Sequence, residues 1–201
     1  MNAQVLKKDI RKSILALREQ LSPDTRAVYS AAISARICKL EIYRQARAVL
    51  GYMNFGAEFA SEPWIRQVLA DGKRLALPRV NRHTSQLDLY WVDDLESQLE
   101  SGLWGIREPV VERCERLGSL NEVEFALLPG VAFTRDGARL GYGGGFYDKL
   151  LARQGSETGM HKPALVAAAF ALQIVGQIPQ EATDVKVEWI VTEAETLHCA
   201  A

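Results

Sequence analysis

The stretch from Leu127 to Leu151, LLPGVAFTRDGARLGYGGGFYDKLL, limits what this chain can fold into more than any other. It opens as an apolar run of strand character, passes Pro129-Gly130 and Asp136-Gly137, and sets four glycines among residues 141–145 ahead of Phe146, Tyr147 and Asp148. Glycines crowded this way let backbone N–H groups turn toward one point and let a ligand approach the main chain closely. Phe146 to Arg153 reads as a helix, so the loop lies at a helix N-terminus, where N–H groups and the dipole favour an anion. Arg139 before the loop and Lys149 after it add cations. An anion cradle and a plain glycine-rich turn between strand and helix both fit these residues.

Known phosphate loops do not. A Walker A loop or a dinucleotide fingerprint starting at Gly141 needs glycine at 146, where the chain has Phe146. Asp148 falls in the first helical turn, where an acid suits any helix and where a magnesium ion beside a polyphosphate would also be held.

The rest of the chain supplies an α/β pattern. Leu6, Ile10, Ile14, Leu17 and Leu21 follow one another at helical spacing over residues 3–20, with Lys7 and Arg11 together beside that stripe. Two cations on one turn suit a polyphosphate; an exposed helix face would carry them equally well. Ser22-Pro23 starts a second helix whose buried face runs through Ile33, Ile37 and Leu40, and the two helices are expected to pack on each other and on the sheet. Ala48 to Met53 reads as a first strand, Ser61 to Asp71 as a helix, and Arg74 to Pro78 and Leu87 to Val92 as strands joined by a polar turn. Residues 112–124 are charged and read as a solvated loop and short helix. A polar link over 154–162, an apolar strand over 164–172, and a loop at 179–183 ahead of Asp184 to Thr192 complete the pattern. Strand, helix and strand in alternation describe an α/β domain.

Two side chains stand out in apolar company. Glu58 lies among Phe55, Gly56, Ala57 and Phe59, where a carboxylate costs desolvation unless it has a dedicated donor. Trp104 precedes Gly105, and its ring could stack on a flat heterocycle or fill the core.

Composition narrows the classes. The chain has 201 residues, 48% hydrophobic and 24% charged, enough for one ordinary globular domain with a proper core. No apolar run reaches the length of a transmembrane span, and Lys7, Lys8, Asp9, Arg11 and Lys12 interrupt any signal-peptide core, so the expectation is cytoplasmic. Three cysteines (Cys38, Cys114, Cys199) and three histidines (His83, His161, His198) are scattered without ligand spacing, which favours reduced thiols and a hard, oxygen-bound metal if any. Residues 1–50 carry ten Lys or Arg against four Asp or Glu, and the remainder 14 against 21. Such an arm could meet nucleic acid or bring cations to a phosphate site.

The run Arg139-Leu140-Gly141-Tyr142-Gly143-Gly144-Gly145-Phe146-Tyr147-Asp148, with Leu128-Pro129-Gly130-Val131-Ala132-Phe133 before it, resembles the signature of the 5-formyltetrahydrofolate cyclo-ligase family, also called methenyltetrahydrofolate synthetases. Leu77-Pro78-Arg79-Val80, Trp104 to Pro109 and Asp184 to Thr192 resemble further family segments, with Glu188 standing where the family commonly has Asp. The resemblance implies a single-domain, Rossmann-like three-layer α/β sandwich with a mostly parallel sheet and helices on both faces. It also implies ATP-dependent, Mg²⁺-requiring conversion of 5-formyltetrahydrofolate to 5,10-methenyltetrahydrofolate, releasing ADP and phosphate.

By the same resemblance ATP would be held by Lys7, Lys8, Arg11, Arg139, Leu140, Gly141, Tyr142, Gly143, Gly144, Gly145, Phe146 and Tyr147. The folate would meet Met53, Glu58, Trp104 and Tyr142 to Phe146. Mg²⁺ would sit on Asp148 and Asp184, and Arg139, Lys7 and Tyr142 would carry the chemistry. The expected partner is the folate alone, with polyglutamylation left open, no nucleic acid and no membrane, on a monomer or weak homodimer. Two other readings compete. A sugar-phosphate isomerase or CoA-transferase-like enzyme of the same fold class needs a base or Glu nucleophile near the loop, where only Asp148 is available. A nucleic-acid-binding protein leaves the glycine loop and Asp184 unexplained.

Overall fold

The computed structural model describes residues 2–154 and 162–199, so most of the polar link at 154–162 lies outside the described residues, as does His161. Helix α1 (Ala3–Glu19) is capped by Asn2, whose side chain accepts from the Gln4 N–H at 3.0 Å. Helix α2 (Pro23–Ile37) begins with proline and is capped by Ser22, which accepts from the Thr25 N–H at 3.1 Å. These are the end signals that the sequence carries.

Helix α3 (Glu41–Gln45) leads into strand β1 (Ala48–Leu50), which is followed by helix α4 (Ser61–Ala70) and the hairpin of β2 (Arg74–Asn81) and β3 (Gln86–Val92). After α5 (Leu95–Gln98), β4 (Leu99–Ser101) and β5 (Arg107–Pro109) form a small hairpin. Strand β6 (Phe125–Leu128) precedes the two-stranded ribbon of β7 (Ala132–Phe133) and β8 (Arg139–Leu140). Helix α6 (Phe146–Gln154), β9 (Ala164–Ala168), β10 (Trp189–Val191) and β11 (Thr196–His198) follow.

The main sheet has the order β11-β10-β9-β6-β1-β2-β3. The five inner strands run parallel, and β3 and β11 close the edges antiparallel. Parallel strands covered on both faces read as continuous apolar runs, and alternate residues go to opposite layers. Val49, Leu75, Leu77, Phe125, Leu127 and Val166 join one core layer with Ile33, Ile37, Trp64 and Ile65 of α2 and α4. Leu50, Ala76, Ala126, Leu128 and Ala167 face the other way, onto Leu150 and Leu151 of α6. This is the expected three-layer α/β sandwich.

Three local expectations are corrected. First, α1 and α2 pack mainly on different partners. Ile14 of α1 sits with Val131, Ala132, Ala138 and Leu140 of the β7–β8 region, whereas α2 lies against α4 and β10. Second, the first strand stops at Leu50; the Gly51 N–H still reaches the Ala76 carbonyl of β2 at 3.0 Å, and Tyr52 and Met53 continue buried outside the strand. Third, the charged segment 112–124 is not left solvated. Leu117, Leu120 and Val123 are buried beneath it in the α6-side layer, because that side has little other helix to cover the sheet.

Cys38, Cys114 and Cys199 are free thiols, as expected. No helix among the described residues is long and apolar enough to cross a membrane.

Candidate active site

Strand order dictates where a site can form. From β1 the chain passes to β2 on one side, and later places β6 on the other. At such a reversal the loops leaving the carboxyl ends of the two strands diverge and open a crevice. A cleft of about 460 Å³ lies there, lined by Tyr52, Met53, Phe55 and Glu58 after β1, by Pro78 and Val80 of β2, and by Pro129 after β6. Ile106 to Glu108 of the small hairpin and most of the glycine loop complete its wall.

The glycine loop is built as the sequence suggests. Gly143 and Gly145 have φ of 107° and 64°, in the region that only glycine enters without strain. A Cβ on Gly144 would meet the Phe146 ring at 2.7 Å. The Gly145 carbonyl accepts the Lys149 N–H at 3.0 Å, which starts α6 directly from the loop. Gly141, Gly144 and Gly145 border the cleft with Tyr142, Phe146, Tyr147 and Asp148. Gly143 faces Arg11 instead, and Leu140 is a core residue of the ribbon, buried with Ile14 and Val131.

Arg139 is almost wholly buried, with 2% of its side chain exposed. It donates to Asp148 Oδ1 at 2.6 Å and to the Pro129 carbonyl at 3.1 Å, and its Nε has no hydrogen-bond partner among the described residues. The guanidinium also lies 5.9 Å from the Tyr147 ring centre. Helix α1 brings two more cations: Arg11 Nε donates to the Gly141 carbonyl at 2.8 Å, and Lys7, 5% exposed, pairs with Asp184 at 2.8 Å. Burial pushes the Asp184 carboxyl up, but hydrogen bonds from Lys7 and the Glu181 N–H, with the charges of Lys7 and Arg139, bring it below the usual range. Lys8, by contrast, is exposed on the next face of α1.

Glu58, also in the cleft wall, is 7% exposed. Its Oε2 accepts the Phe55 N–H at 2.7 Å and its Oε1 accepts the Tyr142 hydroxyl at 2.6 Å. Burial pushes the Glu58 carboxyl up, opposed by those two hydrogen bonds and by the charge of Arg18. Met53 is buried beside it on the cleft wall. Trp104 stands on the rim, 61% exposed, with a left-handed backbone (φ 58°) held in a tight turn before Gly105. Arg79, in the segment that resembles the family, makes an ion pair with Glu100 at 3.2 Å.

Two residues were not singled out from the sequence. Arg18 is 2% exposed and donates to the Tyr142 hydroxyl at 2.6 Å. A signal existed: positions 7, 11, 14 and 18 share one face of a helix, so Arg18 continues the face of Lys7 and Arg11 around Ile14. Glu108 is 6% exposed, accepts from the Val80 N–H at 3.1 Å and lines the cleft. Its neighbourhood is created by the hairpin, and no spacing announces it.

The cleft therefore combines a buried acceptor, an apolar lining and a glycine loop at a helix N-terminus, with Arg139 in its wall and Arg11 on the Gly141 carbonyl. It can hold a flat, largely apolar ligand against an anion. Among the described residues no three His, Cys, Asp or Glu side chains form a metal cluster. Asp148 and Asp184 each have a cationic partner, Arg139 and Lys7 respectively, and both offer hard oxygen donors of the kind a magnesium ion takes.

Comparison with known proteins identifies the family. A "Probable 5-formyltetrahydrofolate cyclo-ligase" of Caenorhabditis elegans is 26% identical over 195 residues, covering 96% of this chain and 95% of that protein. A mitochondrial 5-formyltetrahydrofolate cyclo-ligase of Arabidopsis thaliana is 26% identical, covering 94% and 73%. The structure of an Aquifex aeolicus 5,10-methenyltetrahydrofolate synthetase superposes with a TM-score of 0.83 at 32% identity, over 98% of this chain and 94% of that one. The model of the 5-formyltetrahydrofolate cyclo-ligase family matches residues 3–193, a span that takes in α1, the glycine loop and Asp184 alike, and this enzyme belongs to that family.

Proposed function

We propose that this enzyme closes 5-formyltetrahydrofolate to 5,10-methenyltetrahydrofolate at the expense of ATP, releasing ADP and phosphate, and that the whole chain acts as one catalytic domain. The observation that carries the reading is a single cleft running from the buried Glu58 carboxylate to the cation-flanked glycine loop. A carboxylate accepts paired hydrogen bonds from the amino-pyrimidinone edge of a pterin, and a helix N-terminus with buried arginine accepts phosphate.

The chemistry fits the absence of a protein nucleophile in the scheme. A formamide carbonyl is a poor electrophile, because nitrogen donates into it. Attack of the formyl oxygen on the γ-phosphorus of ATP releases ADP and leaves an N5-iminium phosphate. N10 then adds to the activated carbon and gives up its proton, and phosphate departs with the former formyl oxygen, taking up that proton. The chain's part is positioning and charge stabilisation: Arg139, Lys7, Arg11 and the loop N–H groups of 141–145 hold the triphosphate, Tyr142 borders both substrates, and Met53 and Trp104 cover the folate. Asp148 and Asp184 would hold Mg²⁺, which when bound neutralises phosphate charge. The charged start of α1 fits a cytoplasmic enzyme, and a monomer or weak dimer suffices, since every group named comes from one chain.

The test is the absorbance of the methenyl-folate band on mixing the protein with 5-formyltetrahydrofolate, Mg²⁺ and ATP. ATP-dependent growth of the band is expected. ATP binding without growth would reject the folate assignment, and absence of both would reject the nucleotide site.

A further inference from the structure

Arg18 lies outside the cleft lining, yet it is one of the most buried charges in the protein. A structural arginine at this depth ordinarily satisfies its N–H groups on carbonyls or carboxylates. Here Nε and Nη1 are buried with no hydrogen-bond partner among the described residues, and the one hydrogen bond found, from Nη2, goes to the Tyr142 hydroxyl at 2.6 Å. The guanidinium carbon also sits 5.7 Å from the centre of that ring. The costly burial is directed at a single acceptor.

Direction is the consequence. Guanidinium can only donate, so the Tyr142 oxygen must accept from Arg18 and must send its own proton elsewhere. Among the described residues the only acceptor it meets is Glu58 Oε1, at 2.6 Å. Glu58 Oε2 already accepts the Phe55 N–H at 2.7 Å. Both carboxylate oxygens are thus committed as acceptors, each with a lone pair left for the cleft.

We propose that Arg18 is a positioning residue that sets the hydrogen-bond polarity of the substrate-binding end: through Tyr142 it holds Glu58 as an acceptor-only carboxylate, which selects a ligand edge bearing paired N–H donors. The proposal rests on the reading of Glu58 as the folate anchor. Without Arg18 the Tyr142 hydroxyl is free to turn round and accept from a protonated Glu58, and burial then favours the neutral acid. The other groups facing Glu58 do not replace it. The phenols of Tyr52 and Tyr147, like that of Tyr142, are pushed up by burial and stay neutral, and Arg18 is the cation that acts on the carboxyl.

The sign follows. Removing Arg18 raises the carboxyl further, so Glu58 takes a proton as pH falls and loses an acceptor. In Arg18→Met, KM for 5-formyltetrahydrofolate should rise more steeply than in wild type as pH falls, reaching about tenfold over wild type for each unit by which the carboxyl rises once the pH lies below both carboxyl titrations. KM for ATP should stay within about twofold, and Arg18→Lys should recover most of the loss. In a Tyr142→Phe background, Arg18→Met should add little, because the relay is already cut. Should Arg18→Met not fold, Tyr142→Phe alone carries the same pH signature. A folate KM raised equally at every pH, or an equal loss with Phe at 142, would overturn the proposal while leaving Glu58 in place. A Glu58→Gln enzyme with wild-type folate KM would instead overturn the anchor itself, and the proposal with it.

Discussion

The first two helices have similar lengths and similar polar caps, and their buried faces are unlike. Helix α2 buries Ser30, Ile33 and Ile37 against α4 and the sheet, the face of an ordinary packing helix. Helix α1 buries Lys7, Ile14 and Arg18 and turns Arg11 onto the glycine loop, while Val5 and Leu17 are left substantially exposed. Burying a cation costs several kcal/mol unless it is paired, so a helix that does so twice is not optimised for stability alone. Lys7 meets Asp184 and Arg18 meets Tyr142, both residues assigned to the site. One helix packs the fold, and the other lends its buried face to the proposed active site.

Substitution can break that contrast. Arg11→Ala should lower kcat/KM for ATP by about 10²-fold or more, with little change in the urea midpoint, because a charge-stabilising donor is lost. Ile37→Ala on α2 should do the reverse: about 3 kcal/mol less stable in urea unfolding, with both KM values unchanged in the folded fraction. Equal effects on activity and stability in both helices would remove the distinction. A sharper probe in the cleft wall is Glu58→Gln, expected to raise folate KM about tenfold by weakening an ionic acceptor, with ATP KM unmoved.

Smaller effects refine the same picture. Ser22→Ala should cost α2 about 1 kcal/mol of stability, read as a shift in melting temperature, through loss of its cap to Thr25. The smallest is a pH effect on α1. The Asp184 carboxyl titrates below its unfolded value, so the unfolded chain binds more protons and stability falls as pH drops through the lower carboxylate range. Lys7→Met should flatten that acid limb, measured as melting temperature between about pH 5 and pH 3.

Much of the fold was legible because its signals are local. Apolar runs of strand length, the Ser22-Pro23 start and the glycine loop leading into a helix all depend on neighbours in sequence. The errors arose where a segment's partner is remote. Leu117, Leu120 and Val123 lie among charges and gave no period, yet the bare side of the sheet drew them in. The pairing of α1 with α2 was inferred from adjacency, but the β7–β8 ribbon offered α1 a better apolar seat. In the site, Lys7, Arg11, Glu58 and the loop were visible as residue types at telling positions. The partners of Glu58 were not.

The sequence by itself determined the family, the strand-loop-helix cradle and the cations that could serve it, because glycine's backbone freedom, helical period and charge are properties of short segments. Only the tertiary structure decided that β1 and β6 would diverge to open the cleft, that Glu108 would line it, and that Arg18, Tyr142 and Glu58 would form one relay across 124 and 84 positions of sequence. A hydrogen bond's direction depends on which groups meet at less than 3 Å, and chain folding alone sets that distance.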